Sequence, residues 1–255
     1  MRPRLVKLAT WNIGGGVLGE SHQRDRPPSL DYYVSVLEAH TPDVVCLQEA
    51  HDYHGSRESQ AEYLARCAGY PYHASFPVSE SHLDADASLA LGILSRFPLK
   101  DFRYKPFPNP GIEAVGPNGE AWRLHDKGYA VGSVDVAGRS FGLINGHCFP
   151  LHRFDASPAE PRFAPMWKML ARDMLAIGDG GHAWAAMDLN YGRVADLLGE
   201  VLCSGSYFSA FDRTPTTPEG AQRDHILYGH AMRLLTTVVE STESDHSYCQ
   251  VDVLV

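Results

Sequence analysis

The sequence lacks any apolar run approaching ~18 residues, so no segment reads as a membrane-spanning helix. It has only 5 cysteines in 255 residues, an odd number, scattered and without C-x-x-C spacing. That excludes a disulfide framework or a zinc knuckle and points to reduced thiols in a cytoplasm. The 13 histidines show no H-E-x-x-H spacing, which excludes the helical zinc-hydrolase arrangement. Gly14-Gly15-Gly16 is not followed by Gly-Lys-Ser/Thr and is therefore not a phosphate loop. A dense basic stripe is also missing: 22 Lys and Arg face 31 Asp and Glu, for a formal charge of −9. A track along many nucleic-acid phosphates would want such a stripe. A local cleft can still be positive on an acidic protein, and bound metal adds charge that the count omits. The first 13 residues carry positive charge, but their apolar part is too short for a secretory signal and reads as a strand.

What is present is an ordinary globular composition, 44% hydrophobic and 21% charged, with 23 Gly and 17 Pro. A chain of this length buries roughly 75% of its unfolded surface, enough for one large core without staples. No internal repeat, low-complexity tract or linker divides it, so residues 1–255 are expected to form one catalytic domain.

Leu5 to Asn12 reads as a buried strand closed by the glycine run, and Ser29 as the N-cap of a helix over Leu30 to His40. Asp43 to Glu49 is a strand ending on an acid, followed by a helix from Ser59 to Cys67 and strands over Tyr72 to Val78 and Leu89 to Leu94. Residues 103–127, rich in Pro, Gly and Asn, read as a long loop. Tyr129 to Val136 and Ser140 to His147 form a hairpin around Ala137-Gly138-Arg139. A helix over Met166 to Ile177, a strand over His182 to Asp188 and a helix over Arg193 to Leu202 follow. Residues 205–223 are another loop, and three strands from Asp224, Met232 and Gln250 close the chain. Hairpins mixed with helical crossovers predict an α/β (α+β) fold of two packed mixed β-sheets, a sandwich flanked by helices.

Apolar strands in this order keep ending on polar residues: Asn12, Glu49, His147, Asp188, and Asp245-His246 before the last strand. Each has an ordinary reading alone. Asn12 is a turn residue, Glu49 a solvated strand terminus, His147 a satisfied structural histidine, and Asp188-Leu189-Asn190 an Asx turn before a helix. Asp224-His225 and Asp245-His246 are loop coincidences on that reading. Together and in order, they form a constellation able to hold metal and move protons.

The complete set resembles the endonuclease/exonuclease/phosphatase superfamily, with its deoxyribonuclease I-like fold. The segments that carry the resemblance are Thr10-Trp11-Asn12-Ile13, Leu47-Gln48-Glu49, Gly92-Ile93-Leu94-Ser95-Arg96-Phe97-Pro98-Leu99 and Asn145-Gly146-His147. They continue as Met187-Asp188-Leu189-Asn190, Arg223-Asp224-His225-Ile226-Leu227 and Ser244-Asp245-His246-Ser247. The resemblance implies a metal-dependent phosphoester hydrolase of phosphodiesterase or nuclease type, using a His-activated water.

The residue types agree with that chemistry. A phosphoester is shielded by its own negative charge, so a hard cation, Mg²⁺ or Mn²⁺ in its place, must neutralise its oxygens. Glu49 is the expected ligand, with Asn12 and Asp245 as further oxygen donors. His246 is the expected base, its tautomer held by Asp224. His147 and Asn190 would donate to phosphate oxygens, and Asp188 would orient the water or assist a second metal. One metal or two remains open at this stage. A His at position 147, where abasic-DNA endonucleases of the family carry Tyr, places the chain nearer the deoxyribonuclease, sphingomyelinase and small-phosphoester branch. Deoxyribonuclease I-like members pair that His with a Glu after Val-Ser, here Val78-Ser79-Glu80.

Specificity is expected in the loops. Lys127, Arg153 and Arg213 are candidates to hold a phosphate or charged head group. Tyr207 and Phe208, interleaved with Arg213 and Arg223, suit stacking on bases. Nucleic acid, a phospholipid head group and a small phosphorylated molecule all stay open as partners, with a small or single-site phosphoester ahead of long duplex DNA. A non-catalytic binding module and a zinc hydrolase of unrelated mechanism are the alternatives.

Overall fold

Strands buried on both faces need a cover on each side, and this chain supplies two sheets that cover each other and a helical layer outside each. The computed structural model describes residues 3–19 and 28–255; Met1 and Arg2 of the N-terminal stretch lie outside them. In chain order the elements are β1 (Leu5–Asn12), α1 (Leu30–His40), β2 (Val44–Tyr53), α2 (Gln60–Cys67), β3 (Tyr72–Glu80), β4 (Ala87–Ser95) and β5 (Leu99–Pro106). They continue with β6 (Glu113–Val115), β7 (Ala121–Arg123), β8 (Gly128–Val136), β9 (Arg139–His147), α3 (Ala164–Ile177) and β10 (Ala183–Asp188). The last are α4 (Val194–Cys203), β11 (Tyr207–Ser209), β12 (Asp224–Gly229), β13 (Arg233–Glu240) and β14 (Tyr248–Leu254).

One six-stranded sheet runs β13-β14-β1-β2-β4-β3 and the other β11-β12-β10-β9-β8-β5, with β6-β7 a separate hairpin. This is the two-sheet sandwich expected of a deoxyribonuclease I-like fold. Each sheet has one parallel pair at its middle, β1 with β2 and β9 with β10, and antiparallel neighbours outside. Parallel pairs need a crossover, and α1 and α3 provide it.

Side-chain alternation builds the layers. Val6 and Leu8 of β1 face Leu143, Trp184 and Ile226 of the other sheet, whereas Ala9 and Trp11 turn outward to Tyr33 and Leu37 of α1 and Leu64 of α2. The second sheet repeats this, with Ile144, Ala185 and Met187 packed against Leu170 and Met174 of α3 and Leu198 of α4. Ser59 caps α2 by accepting from the Glu62 N–H at 3.1 Å. Ser29 stands at the N-cap of α1 without a side-chain bond. The β8–β9 hairpin turns through Ala137 and Gly138 at φ 54° and 83°, the pair of positive values a type I′ turn requires.

Three sequence expectations are corrected. The second strand does not stop at Glu49 but runs to Tyr53, its register broken between Leu47 and Ala50. Residues 103–127 are not one loop: they hold the end of β5 and the β6–β7 hairpin. Residues 205–223 contain the short strand β11. In β11, Tyr207 is buried with its hydroxyl donating to the Met174 carbonyl at 2.9 Å. Core packing has thus claimed a ring that the sequence offered for base stacking.

Candidate active site

The carboxyl ends of the two parallel pairs meet at one edge of the sandwich, and the polar residues noted in the sequence meet there too. Asn12 ends β1, His147 ends β9 and Asp188 ends β10. The antiparallel strand β12 begins at the same edge, so Asp224 is paired directly opposite Asp188. His246 precedes β14, its carbonyl held by the Trp11 indole at 3.2 Å and the Thr242 hydroxyl at 2.7 Å. Glu49 arrives differently. It sits in a β-bulge at φ 52°, a conformation uncommon for a residue other than glycine, and the bulge re-aims its side chain into the cleft.

Below these residues lies a buried polar clamp between the sheets that sequence reasoning did not single out. The Asn145 amide donates to the Leu47 and Gly92 carbonyls at 3.0 and 2.8 Å. Gln48 donates to Asn145 Oδ1 at 2.8 Å and to Thr10 Oγ1 at 3.1 Å. Both residues lie within the quoted motifs, but only the packed sheets reveal that they fix the backbone just before Glu49 and the facing strand at Gly92. Thr216 was likewise missed; its hydroxyl accepts from the Arg223 and Asp224 N–H groups at 2.9 and 3.1 Å.

Asp224 Oδ2 holds His246 Nδ1 at 2.8 Å, leaving Nε2 free to face the cleft, 3.9 Å from Asp188 Oδ2. Burial alone would lower the His246 pKa, but Asp224 and then Asp188 carry it from 6.5 up to about 10. Asp188 is raised, by burial first and with Asp224 adding to it, although His246 pulls the other way. Its Oδ1 closes an Asx turn on the Asn190 N–H at 2.8 Å and its Oδ2 accepts from the Asn12 amide at 3.1 Å. Asn190 is held in a left-handed conformation at φ 51°, its amide donating to the Cys148 carbonyl at 3.1 Å. Asp245 is raised by burial, with Glu49 contributing.

Lys127 is buried, its ammonium 3.3 Å from Glu49 Oε1 and 3.1 Å from His147 Nδ1. Lys127 is a donor only, so His147 Nδ1 accepts and Nε2 carries the proton. That N–H lies 3.4 Å from Asp188 Oδ2 and 3.7 Å from Glu49 Oε1. Burial, then Lys127, keeps His147 well below its ordinary pKa and hence neutral. Burial alone would raise Glu49, but the Lys127 ammonium beside it holds it well below the usual carboxylate range. The Glu80 carboxylate does not reach His147: it ends an edge strand in solvent, 3.7 Å from His54.

These groups line a cleft of about 760 Å³. Of the proposed substrate contacts, Lys127 and Arg153 line it, but Arg213 does not. Arg213 is exposed in a left-handed turn, φ 52°, beyond the buried Phe211 that ties its loop to the core. His51, His82 and His125 line the cleft without having been assigned to it from sequence, and Arg223, named from sequence only with the 205–223 loop, lines it too. Gly15 and Gly16 border this edge at φ 67° and 78°, where a Cβ on Gly15 would fall 2.7 Å from the His51 ring.

Cation ligands can be sought in two places. Asp188, Asp224 and His246 offer ligand atoms within 4.8 Å of one another, but His246 Nδ1 is committed to Asp224, as in a catalytic dyad. Glu49, Asp245 and Asn12 are the other set, an all-oxygen group of the kind a hard divalent cation takes. Four buried or half-buried carboxylates, Glu49, Asp188, Asp224 and Asp245, converge here, so the cleft has oxygen donors to offer a cation.

No curated protein sequence matches the chain at a significant level. Solved structures do. An endonuclease/exonuclease/phosphatase from Beutenbergia cavernae is 18% identical with a TM-score of 0.72, over 98% of this chain and 71% of that one. A mannosyl-6-phosphatase from Bacteroides thetaiotaomicron is 15% identical with a TM-score of 0.66, over 98% of this chain and 100% of that one. TDP2 from D. rerio, complexed with a single-strand DNA product, is 15% identical with a TM-score of 0.62, over 98% of each chain. The family model described as Endonuclease/Exonuclease/phosphatase matches residues 9–246, a span that runs from before Asn12 to His246 itself. With every constellation residue inside that span and gathered at one sheet edge, the chain belongs to the endonuclease/exonuclease/phosphatase family, a family of phosphoester hydrolases.

Proposed function

We propose that the protein is a Mg²⁺-dependent phosphoester hydrolase, with Mn²⁺ able to replace Mg²⁺, in which water activated by His246 attacks phosphorus directly. The observation that carries this reading is the His246–Asp224 dyad, bonded at 2.8 Å and buried, with His246 lining the same cleft as Glu49. Glu49, Asp245 and Asn12 fit a hard cation by donor type and would hold it. When bound, the cation neutralises phosphate oxygens and the charge that develops on them.

The chain's own groups do the rest. His246 Nε2 takes the proton of the attacking water, and Asp224 holds the ring and stabilises the imidazolium. Asp188, within reach of both His246 and His147, orients that water. The His147 Nε2–H and the Asn190 amide donate to the non-bridging oxygens. Lys127 fixes the His147 tautomer and adds positive charge. No covalent intermediate is required.

Phosphodiester cleavage ranks above monoester cleavage, and a small or single-site substrate above long duplex DNA. The β6–β7 hairpin supports the second ranking. Pro117, Asn118 and Trp122 from it wall the cleft, whose volume is that of a small-molecule site. A mannosyl-6-phosphatase and a protein holding a single-strand DNA product are both compatible neighbours. Among the described residues no helix is long and apolar enough to cross a membrane; unpaired cysteines, three of them buried, suit a reducing compartment such as the cytoplasm.

The test is hydrolysis of bis-p-nitrophenyl phosphate, p-nitrophenyl phosphate and plasmid DNA, each with Mg²⁺, Mn²⁺ or EDTA, beside His246→Ala and Glu49→Ala. Cation-dependent release abolished in both variants is expected. Release that persists in EDTA or in His246→Ala would overturn the mechanism.

A further inference from the structure

One wall of the cleft is basic in a way the hydrolytic groups do not use. Arg153 comes from the 3-10 turn Leu151–Phe154, and Arg223 immediately precedes Asp224. Neither guanidinium has a side-chain hydrogen bond or ion pair among the described residues. Both act on His152, which is depressed to about 4 by partial burial first and then by Arg223 and Arg153. Both arginines thus line the same cleft and act on the same imidazole, in a chain of net charge −9. Glu219, which also lines the cleft, feels Arg223 electrostatically but makes no ion pair with it.

A cation at Glu49 would serve the phosphate being cleaved. A second anionic group on the same molecule would need its own partners in a cleft already crowded with carboxylates. Two arginines are suited to it, because the guanidinium fork matches phosphate and carboxylate oxygens. Phe154, next to Arg153, meets the Trp122 ring at 6.5 Å, and Leu83 and Leu124 also face the cleft. The Trp122 indole is pinned by Glu120 at 2.9 Å. An apolar or ring portion of the ligand thus has a fixed surface in the same cleft.

We propose that the cleft takes a small organic phosphoester bearing a second anionic group, which Arg153 and Arg223 hold while the scissile phosphate lies over Asn190 and His246. The proposal rests on the hydrolase reading above and names the substrate class for that site.

Calorimetric titration in a fixed free Mg²⁺ concentration tests it without requiring turnover. Adenosine 3′-monophosphate and adenosine 3′,5′-bisphosphate serve as probes that differ by one phosphate. The wild-type protein is expected to prefer the bisphosphate by at least about tenfold, as charge-assisted bonds to a second phosphate imply. In Arg153→Ala/Arg223→Ala that preference should fall to within about threefold of unity, and Arg153→Lys/Arg223→Lys should recover part of it. Equal affinity of the wild type for both probes, or a preference unchanged in the alanine pair, would overturn the proposal. Repeating the titration in His246→Ala separates the two readings: the preference should survive there even though hydrolysis does not.

Discussion

The ammonium of Lys127 stands 3.1 Å from Nδ1 of His147, where the deoxyribonuclease I-like pattern would place a carboxylate. The exchange inverts the local chemistry. A carboxylate accepts from Nδ1–H and favours a charged ring; an ammonium donates to Nδ1 and fixes a neutral ring with its proton on Nε2.

Removing that donor should therefore separate binding from turnover. Lys127→Met is expected to bind Mg²⁺ more tightly, because Glu49 loses a competing cation, yet to turn over roughly 10- to 100-fold more slowly, as loss of an orienting partner costs elsewhere. Calorimetry and steady-state kinetics read the two effects. Nitrogen NMR of His147 should show the Nε2–H tautomer in wild type and a mixture in the variant.

Asp224 raises His246, so Asp224→Asn should lower it. The base is active only when neutral, and activity rises with pH through its pKa. The rising limb of the kcat profile is thus expected at lower pH in Asp224→Asn, below a reduced plateau. A limb that stays in place would assign the titration to another group.

Above neutral pH, stability should fall as pH rises when divalent cations are removed. His246 is raised from 6.5 to about 10, so its contribution is complete below 6.5 and is lost as pH rises towards 10. Asp188, also raised, has the same sign at the acid end: stability falls as pH rises from its unfolded value of 3.8 through its folded one. The histidines lowered by burial, His147 and His152 among them, act in the opposite sense below about pH 6.5. Thermal unfolding in EDTA should therefore show its declining midpoint between pH 7 and 10. Mg²⁺ should restore more at the alkaline end, where the carboxylates are least compensated.

Asn145 is the hub of the inter-sheet clamp, with bonds to Leu47, Gly92 and Gln48. Asn145→Ala leaves the buried Gln48 amide short of a partner, at a cost of about 1–3 kcal/mol. A lower urea midpoint with unchanged m-value is the expected signature. Because the clamp grips the residue before the Glu49 bulge, metal affinity should fall in the same variant.

Which parts of this were legible in the sequence follows a physical pattern. β1, β2, β9 and β10 are covered on both faces, so they read as apolar runs, and their polar ends identified the site. β5 escaped because it is an edge strand bearing Lys100, Asp101, Arg103 and Lys105, with Asp101 at φ 55° in a register break and Pro106 at its end. Glu49 was found, but not its bulge, since a positive φ outside glycine leaves no compositional trace. Lys127 looked like a substrate contact because nothing local shows that the fold aims it at Glu49. Arg213 and Arg223 looked equivalent in their loop, and only Arg223, tied through Thr216 to Asp224, is carried to the cleft.

The excursion that carries the β6–β7 hairpin leaves the second sheet at Pro106 and returns at Gly128, two residues paired across the β5–β8 ladder, with the Phe107 N–H bonded to the Lys127 carbonyl. Its two ends are therefore fastened together by the sheet, whatever lies between them. Lengthening or shortening such a closed excursion costs little, about 0.6 kcal/mol per doubling. The hairpin is in this sense an interchangeable part: a lineage could trade one ligand for another by rewriting residues 108–126, while the knot at its base keeps Lys127 on Glu49 and the hydrolytic machinery intact.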